Sequence, residues 1–130
     1  MHQGKKEVII IGASIAGLAA AIVLEKYGIN YRVYEKEGPE RVGGAGITLA
    51  PSAKEILDAI GVPTAEFLDI TNRQYFNSRD ELLYDDPKFR YTTSWQNLFK
   101  KLLSTANLNK IHFHHKVISC LNIYSFEMNT

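Results

Sequence analysis

A glycine-containing turn near the start of the chain has the residue types and spacing best suited to chemistry. It reads Gly12-Ala13-Ser14-Ile15-Ala16-Gly17 and follows a short apolar run. In turns of this pattern the first glycine permits a sharp change of direction, the middle position lets the backbone approach a pyrophosphate, and the last allows a helix to lie close to a sheet. The N-terminus of the following helix offers N–H groups and the positive end of a dipole to phosphates. The turn therefore predicts a dinucleotide site.

Two further residues bear on this prediction. Ser14 occupies the place of the second glycine, a tolerable departure because serine is small and its hydroxyl can donate a hydrogen bond to a phosphate. Glu35 lies 23 residues after Gly12, where a carboxylate can accept both hydroxyls of an adenosine ribose. The same carboxylate would repel a 2′-phosphate, which disfavours NADP.

The elements that must position these residues form a strand–helix–strand unit over about residues 6–36. Val8–Ile11 is a continuous β-branched run, typical of a strand buried on both faces of a parallel sheet. Residues 15–27 read as a helix stopped by Gly28, and Tyr31–Tyr34 as a second strand. This is the size of a βαβ unit. The predicted fold class is therefore α/β, with a Rossmann-like unit and a parallel sheet; a βαβ unit whose turn binds nothing stays as the alternative.

Downstream, the sequence predicts a glycine segment, a short strand and a second helix. Residues 38–46 are rich in glycine, and 47–49 read as a strand. Ser52 and Glu55 have the spacing of a capping box, which predicts Ser52 as the N-cap of a helix ending near residue 60.

The remaining elements are a hairpin, a third helix and a strand-rich tail. Residues 73–77 and 82–84 read as the two strands of a hairpin, and residues 111–126 as one or two further strands. Ser94 predicts the start of a helix. The apolar stripe of that helix is Trp95, Leu98, Phe99 and Leu102.

Composition excludes several classes of protein. The length of 130 residues suits one domain, and 15 basic against 14 acidic residues gives no footprint for a nucleic-acid partner. The longest apolar segment, 15–24, is too short to span a bilayer. Cys120 is the only cysteine, so an intrachain disulfide is impossible and a cytoplasmic location is expected.

Three histidines near the end of the chain raise the question of a metal site. His112 and His114 would share one face of a strand, and His115 follows. No further histidine or cysteine provides a persuasive third ligand, so we expect a solvated strand face and no metal. The sequence indicates no catalytic base.

These motifs together resemble the N-terminal part of the FAD-dependent monooxygenases of the aromatic-hydroxylase type, such as salicylate hydroxylase and zeaxanthin epoxidase. The matching stretches are residues 8–17, 34–36 and 43–53. The resemblance implies FAD as the cofactor, Glu35 at its adenosine ribose, Arg41 near it, and the glycine segment close to its flavin end. The cofactor-binding residues expected on this basis are Gly12, Ala13, Ser14, Ile15, Ala16, Gly17, Glu35, Lys36, Arg41, Gly46 and Ile47.

The resemblance also implies an activity. In the family NAD(P)H reduces the flavin, and O2 is then used to hydroxylate or epoxidise a small organic substrate. Two alternatives stay open: a non-catalytic nucleotide-binding fragment or subunit, and a different FAD- or NAD-dependent oxidoreductase.

Members of the family are longer than this chain. They carry further FAD motifs and a substrate domain, so residues 1–130 are expected to be a partial FAD-binding domain, truncated relative to the family and inactive alone. Its parts would be the βαβ core at about 6–36, the glycine segment and helix at 43–61, and the start of a hairpin region. An incomplete sheet would favour self-association.

One position departs from the family. Trp95 stands where the family usually has an arginine that reaches the cofactor. An indole cannot donate a charge-assisted hydrogen bond to a phosphate, which predicts weaker FAD binding. We interpret Trp95 as a core residue of its helix.

Overall fold

The computed structural model of the protein describes residues 6–122 and 125–129. Three helices, ten strands and a short 3₁₀ turn at Leu108–Lys110 lie within these residues. In chain order they are β1 (Val8–Ile11), α1 (Ile15–Lys26), β2 (Tyr31–Tyr34), β3 (Gly46–Leu49), α2 (Pro51–Ala59), β4 (Leu68–Ile70), β5 (Arg73–Phe76), β6 (Leu82–Asp86), β7 (Arg90–Ser94), α3 (Trp95–Thr105), β8 (Ile111–His112), β9 (Lys116–Asn122) and β10 (Ser125–Asn129).

A parallel sheet with the strand order β1-β2-β8 carries the N-terminal unit. The α/β class and the parallel sheet are therefore confirmed. Helix α1 ends at Lys26, one residue earlier than predicted, and Tyr27 is its C-cap. Gly28 follows with a φ of +65°, a conformation that glycine adopts without strain at the end of a helix.

Strand β1 is not buried on both faces, so that part of the prediction is wrong. Val8 is 40% exposed and Ile11 is 63% exposed. Among the described residues β1 pairs with β2 alone, which places it at an edge of the sheet. Its apolar sequence resembles that of a central strand, whereas its position leaves one edge and part of its side chains uncovered.

The main core lies where α1 and α3 pack together beside β2. Both helices direct apolar side chains into it, as the stripe on α3 predicted. The core residues include Leu18, Ala21, Ile22, Tyr31, Val33, Leu57, Leu98, Phe99, Leu102 and Ile111. Trp95 packs against this core but is only half-buried.

A second, antiparallel sheet has the order β3-β7-β4. Neither β4 nor β7 was predicted, because β4 has only 3 residues and β7 is polar apart from Tyr91. Pairing with β3 stabilises β7, and the Thr92 hydroxyl adds a 2.9 Å hydrogen bond to the Ile47 carbonyl. The backbone N–H of Trp95 donates a 2.9 Å hydrogen bond to the Ala45 carbonyl. This bond attaches the glycine segment to the start of α3.

The predicted hairpin is confirmed as β5 and β6. Asn77 lies in its turn, where the side-chain Oδ1 accepts hydrogen bonds from the N–H groups of Arg79 and Glu81. The tail contains β8, β9 and β10 rather than one or two strands. Residues 123–124 of the predicted tail lie outside the described residues.

The capping box at Ser52 is wrong. Helix α2 begins at Pro51, and its N-cap is Ala50 in an extended conformation. Proline at the first helical position has its φ already set and lacks only an N–H that would be unpaired there, while it keeps the preceding residue extended. The Ala53 N–H donates to the Ala50 carbonyl, so Ser52 lies inside the first turn.

Ser94, by contrast, is an N-cap as predicted. Its hydroxyl oxygen accepts a 3.0 Å hydrogen bond from the Asn97 N–H. None of the helices in the described part of the chain is long and apolar enough to cross a membrane.

The two serines give a matched test of these helix starts. We expect Ser94→Ala to lower the free energy of unfolding by about 1 kcal/mol, because the Asn97 N–H loses its acceptor. Ser52→Ala should change it by less than about 0.5 kcal/mol. Urea denaturation followed by circular dichroism measures both, and equal losses from the two substitutions would contradict the assignment of the caps.

Candidate functional site

The turn between β1 and α1 has the geometry that its glycines require. Gly12 has a φ of +100°, and its N–H donates to the Tyr34 carbonyl at 2.7 Å. A Cβ on Gly17 would lie 1.9 Å from the Gly12 carbonyl oxygen, so only glycine fits there. Ser14 is the N-cap of α1 but makes no side-chain cap hydrogen bond. The first N–H groups of the helix therefore have no partner within it and can bind a ligand.

The Glu35 carboxylate lies beside this turn, directly after β2. It is 4% exposed. Its Oε2 accepts a 2.6 Å hydrogen bond from the Ala13 N–H, and its Oε1 accepts one of 2.9 Å from the Glu37 N–H. The Arg41 guanidinium forms an ion pair with the same Oε1. One carboxylate thus joins the turn, the loop after β2 and the glycine segment.

This environment holds Glu35 in its ionised form. Burial of the carboxyl group by itself raises the pKa of Glu35. The N–H groups of Glu37 and Ala13 and the Arg41 guanidinium stabilise the charged form and outweigh the burial. The pKa of Glu35 is therefore lowered from its ordinary value, as expected for a carboxylate that accepts several hydrogen bonds.

Arg41 is well positioned but incompletely paired. Its side chain is 22% exposed, and its Cζ lies 5.7 Å from the centre of the Phe99 ring. Its Nε is buried and has no hydrogen-bond partner among the described residues. The guanidinium therefore has a donor left for another acceptor.

Two cavities meet near these residues. The larger, of about 720 Å³, is lined mainly by the segment from Lys36 to Ile47 and by Trp95. The smaller, of about 310 Å³, lies beside Gly12 and Glu35. Both volumes fall in the range of small-molecule sites.

Trp95 forms one wall of the larger cavity and packs against Phe99. Their rings stack with centroids 4.9 Å apart and an interplanar angle of 8°. Gly44, with a φ of +103°, lies so close that a Cβ there would be 2.8 Å from the Trp95 Cβ. The interpretation of Trp95 as a packing residue was thus incomplete, because the indole also shapes the cavity.

The structure brings together only part of the predicted residue set. Gly12, Ala13, Glu35, Lys36 and Arg41 lie around the smaller cavity and its boundary, and Ile47 lines the larger one. Ser14, Ile15, Ala16 and Gly17 belong to the turn and the start of α1, and Gly46 begins β3 without lining either cavity.

Sequence reasoning missed the far wall of the smaller cavity. His115, Lys116 and Val117 line it, because β8 pairs with β2 and brings the segment after β8 beside Glu35. The backbone N–H of His115 donates a 2.9 Å hydrogen bond to the backbone carbonyl of Glu35. The run of histidines was the available signal, but nothing local shows which strand β8 joins.

The prediction that His112 and His114 share a strand face is wrong, because β8 ends at His112 and His114 lies in the following turn with a φ of +59°. His112 and His115 pack against the Tyr34 ring. The Tyr34 and His112 rings stack with centroids 5.0 Å apart. Within the described residues no group of three or more metal-ligating side chains could hold an ion.

Comparison with known proteins identifies the family. The family described as FAD binding domain matches residues 5–117, and the chain belongs to it. The resemblance to FAD-dependent monooxygenases and the prediction of FAD as cofactor are thereby confirmed. The 6-hydroxynicotinate 3-monooxygenase of Bordetella bronchiseptica is 33% identical over 95 residues, which cover 73% of this chain and 21% of that protein.

Two further comparisons agree. The FAD-dependent monooxygenase ntnA of a Nectria species is 47% identical over 57 residues, covering 43% of this chain and 8% of that protein. The structure of 2,6-dihydroxypyridine-3-hydroxylase from Arthrobacter nicotinovorans matches with a TM-score of 0.79 at 22% identity, covering 95% of this chain and 33% of that one. The last likeness shows the fold. The chain thus spans about a third of that structure and about a fifth or less of the two curated relatives.

A glycine pair tests the geometry of the turn. We expect Gly17→Ala to lower the free energy of unfolding by at least about 1–3 kcal/mol, because the added Cβ forces α1 away from the turn. Gly46→Ala should have little effect, since no atom lies within 4 Å of the Cβ built there. Thermal unfolding of both variants is the measurement, and a Gly17→Ala protein as stable as wild type would show that the helix does not lie so close.

The lowered pKa of Glu35 predicts a pH dependence. Because the folded pKa lies below the unfolded value, the unfolded chain binds more protons in the window between them. The stability from this carboxylate is then complete above roughly pH 4.3, the ordinary glutamate pKa, and is lost as the pH falls through the folded value. We expect the free energy of unfolding to fall less steeply below that pH in Glu35→Gln than in wild type. Identical acid slopes would contradict this.

Proposed function

We propose that the chain is the FAD-binding part of a flavin-dependent monooxygenase that uses NAD(P)H and O2. The observation that supports this most is the buried, ionised Glu35 carboxylate held beside the turn at the N-terminus of α1. Its position next to Gly12 fits recognition of the ribose of a dinucleotide whose pyrophosphate lies on the turn.

The chain's own residues have distinct tasks in this proposal. Residues 12–17 hold the pyrophosphate through backbone N–H groups and the dipole of α1. Glu35 accepts the ribose hydroxyls, while Lys36 and Arg41 supply positive charge. The strand start at Gly46 and Ile47 borders the flavin end. The buried, unpartnered Nε of Arg41 supports this assignment, because it has a donor to offer to an anionic ligand.

Bound FAD would supply the redox chemistry, and the protein's part is binding, orientation and exclusion of water. The 6-hydroxynicotinate relative supports a small hydroxylated aromatic molecule as the substrate class. Trp95 gives the cavity an aromatic wall where a cation would otherwise contribute, so we propose that FAD is held with fewer charge contacts on that side.

Two further properties belong to this proposal. The exposed edge and side chains of β1 support self-association of the chain through its parallel sheet. The single cysteine fits a location in the reducing cytoplasm.

Comparison of FAD with FMN tests the role of Glu35. FMN lacks the adenosine, so the wild-type chain should bind FAD more tightly than FMN in titrations followed by flavin fluorescence. Glu35→Gln should weaken FAD binding by about tenfold or more, because a charge-assisted acceptor for the ribose is lost. The affinity for FMN should fall by less than that for FAD, because FMN loses only the effect on the turn and the glycine segment that Glu35 holds together.

Glu66→Gln is the matched control, because Glu66 is exposed and pairs with Lys101 away from both cavities. It should leave the affinity for FAD unchanged. A folded wild-type chain that does not bind FAD would refute the proposed function. An equal loss of FAD and FMN binding in Glu35→Gln would refute the ribose assignment.

A further inference from the structure

The two cavities share a boundary, where two residues line both of them. These are Lys36 and Arg41, and none of the other described residues lines both. A dinucleotide whose ribose lies at Glu35 and whose other end reaches the glycine segment has to cross this boundary. The boundary is therefore part of the binding path.

Arg41, rather than Lys36, closes the boundary. The Lys36 side chain is 64% exposed and its Nζ lies 3.8 Å from Glu37, which is a loose surface ion pair. The Arg41 guanidinium is mostly buried and is paired with the buried Glu35 carboxylate. Removing it from that position breaks a charge-assisted contact between two mostly buried side chains.

The hydrogen-bond capacity of Glu35 points the same way. An ionised carboxylate has about four acceptor positions. Three are used, by the Ala13 N–H, the Glu37 N–H and Arg41. A ribose with two free hydroxyls needs two positions, and departure of Arg41 is the change that provides the second without disturbing the backbone.

Arg41 also has the means to move. It lies between β2 and β3, in a segment without helix or strand. Gly43 and Gly44 follow at φ values of +113° and +103°, and short glycine-containing segments of this kind can absorb a change of backbone direction. The unpartnered Nε shows that Glu35 does not satisfy the whole guanidinium, whereas a pyrophosphate offers several anionic oxygens.

We propose that Arg41 is a gate in the dinucleotide site. Paired with Glu35, it closes the boundary; when a dinucleotide binds, it exchanges that carboxylate for the pyrophosphate. The two cavities then join into one cleft. The inference rests on the proposed function and adds a step to it: only the open form binds, so the apparent affinity is reduced by the fraction of chains that are open.

Stopped-flow mixing with excess FAD, followed by flavin fluorescence, tests the gate. In wild type the observed binding rate should level off at high FAD concentration, at the rate of opening. In Arg41→Gln the rate should rise linearly and exceed the wild-type plateau. FAD dissociation from that variant should be roughly ten- to hundredfold faster, because the contact with the pyrophosphate is lost.

Two further variants complete the experiment. Arg79→Gln removes an equivalent charge at the exposed tip of the hairpin and should behave as wild type. Arg41→Lys keeps a cation that can pair with Glu35, so its rate should still level off. If Arg41→Gln does not fold, as judged by circular dichroism, Arg41→Lys decides: it should level off and release FAD faster than wild type.

The outcomes separate the two proposals. The gate is overturned if the wild-type binding rate stays linear in FAD concentration, or if Arg41→Gln binds FAD no faster than the wild-type plateau. In either case, binding of FAD at equilibrium leaves the proposed function standing. With the glutamine variant unfolded, Arg41→Lys kinetics identical to wild type also overturn it. A wild-type chain that binds no FAD overturns both.

Discussion

The site depends on one buried carboxylate. Glu35 accepts hydrogen bonds from the Ala13 and Glu37 N–H groups and forms an ion pair with Arg41. These partners belong to three segments that make no regular structure with one another. A buried charge is tolerated only when it is paired and hydrogen-bonded. Removal of any partner thus affects the other two, and the turn, the loop after β2 and the glycine segment are held as one unit.

The features predicted correctly from the sequence are those decided by nearby residues. The turn at residues 12–17 needs glycine at its two ends because a positive φ and a close approach to backbone occur there, and both requirements are local. The Ser94 cap acts on an N–H three residues later. The position of Glu35 beside the turn was predicted because Glu35 directly follows β2, and the end of this strand lies next to the turn in a βαβ unit that binds a dinucleotide.

The features that were missed depend on pairing between distant segments. Strand β7 is polar and becomes a strand by lying between β3 and β4, and the wall formed by His115 and Val117 exists because β8 joins β2. The edge position of β1 was missed for the same reason, because an apolar sequence does not show whether a strand pairs on one side or on both. The start of α2 is different, because a local signal was present there. Pro51 indicates a helix whose N-cap is Ala50, but the Ser52–Glu55 spacing was taken as the start of the helix.

The Glu35–Arg41 pair shows how stability and binding compete in this fold. The contacts that hold the turn and the glycine segment together use the same acceptors and donor that a dinucleotide would need. A ligand therefore gains only the difference between its own contacts and those it replaces, and buried ion pairs are costly to break because they leave unpaired charges. The pyrophosphate resolves this conflict for Arg41, since it provides the anion that the arginine loses on leaving Glu35. A ligand that lacks this anion would leave the arginine without a partner, so the pair favours dinucleotides over nucleosides of similar shape.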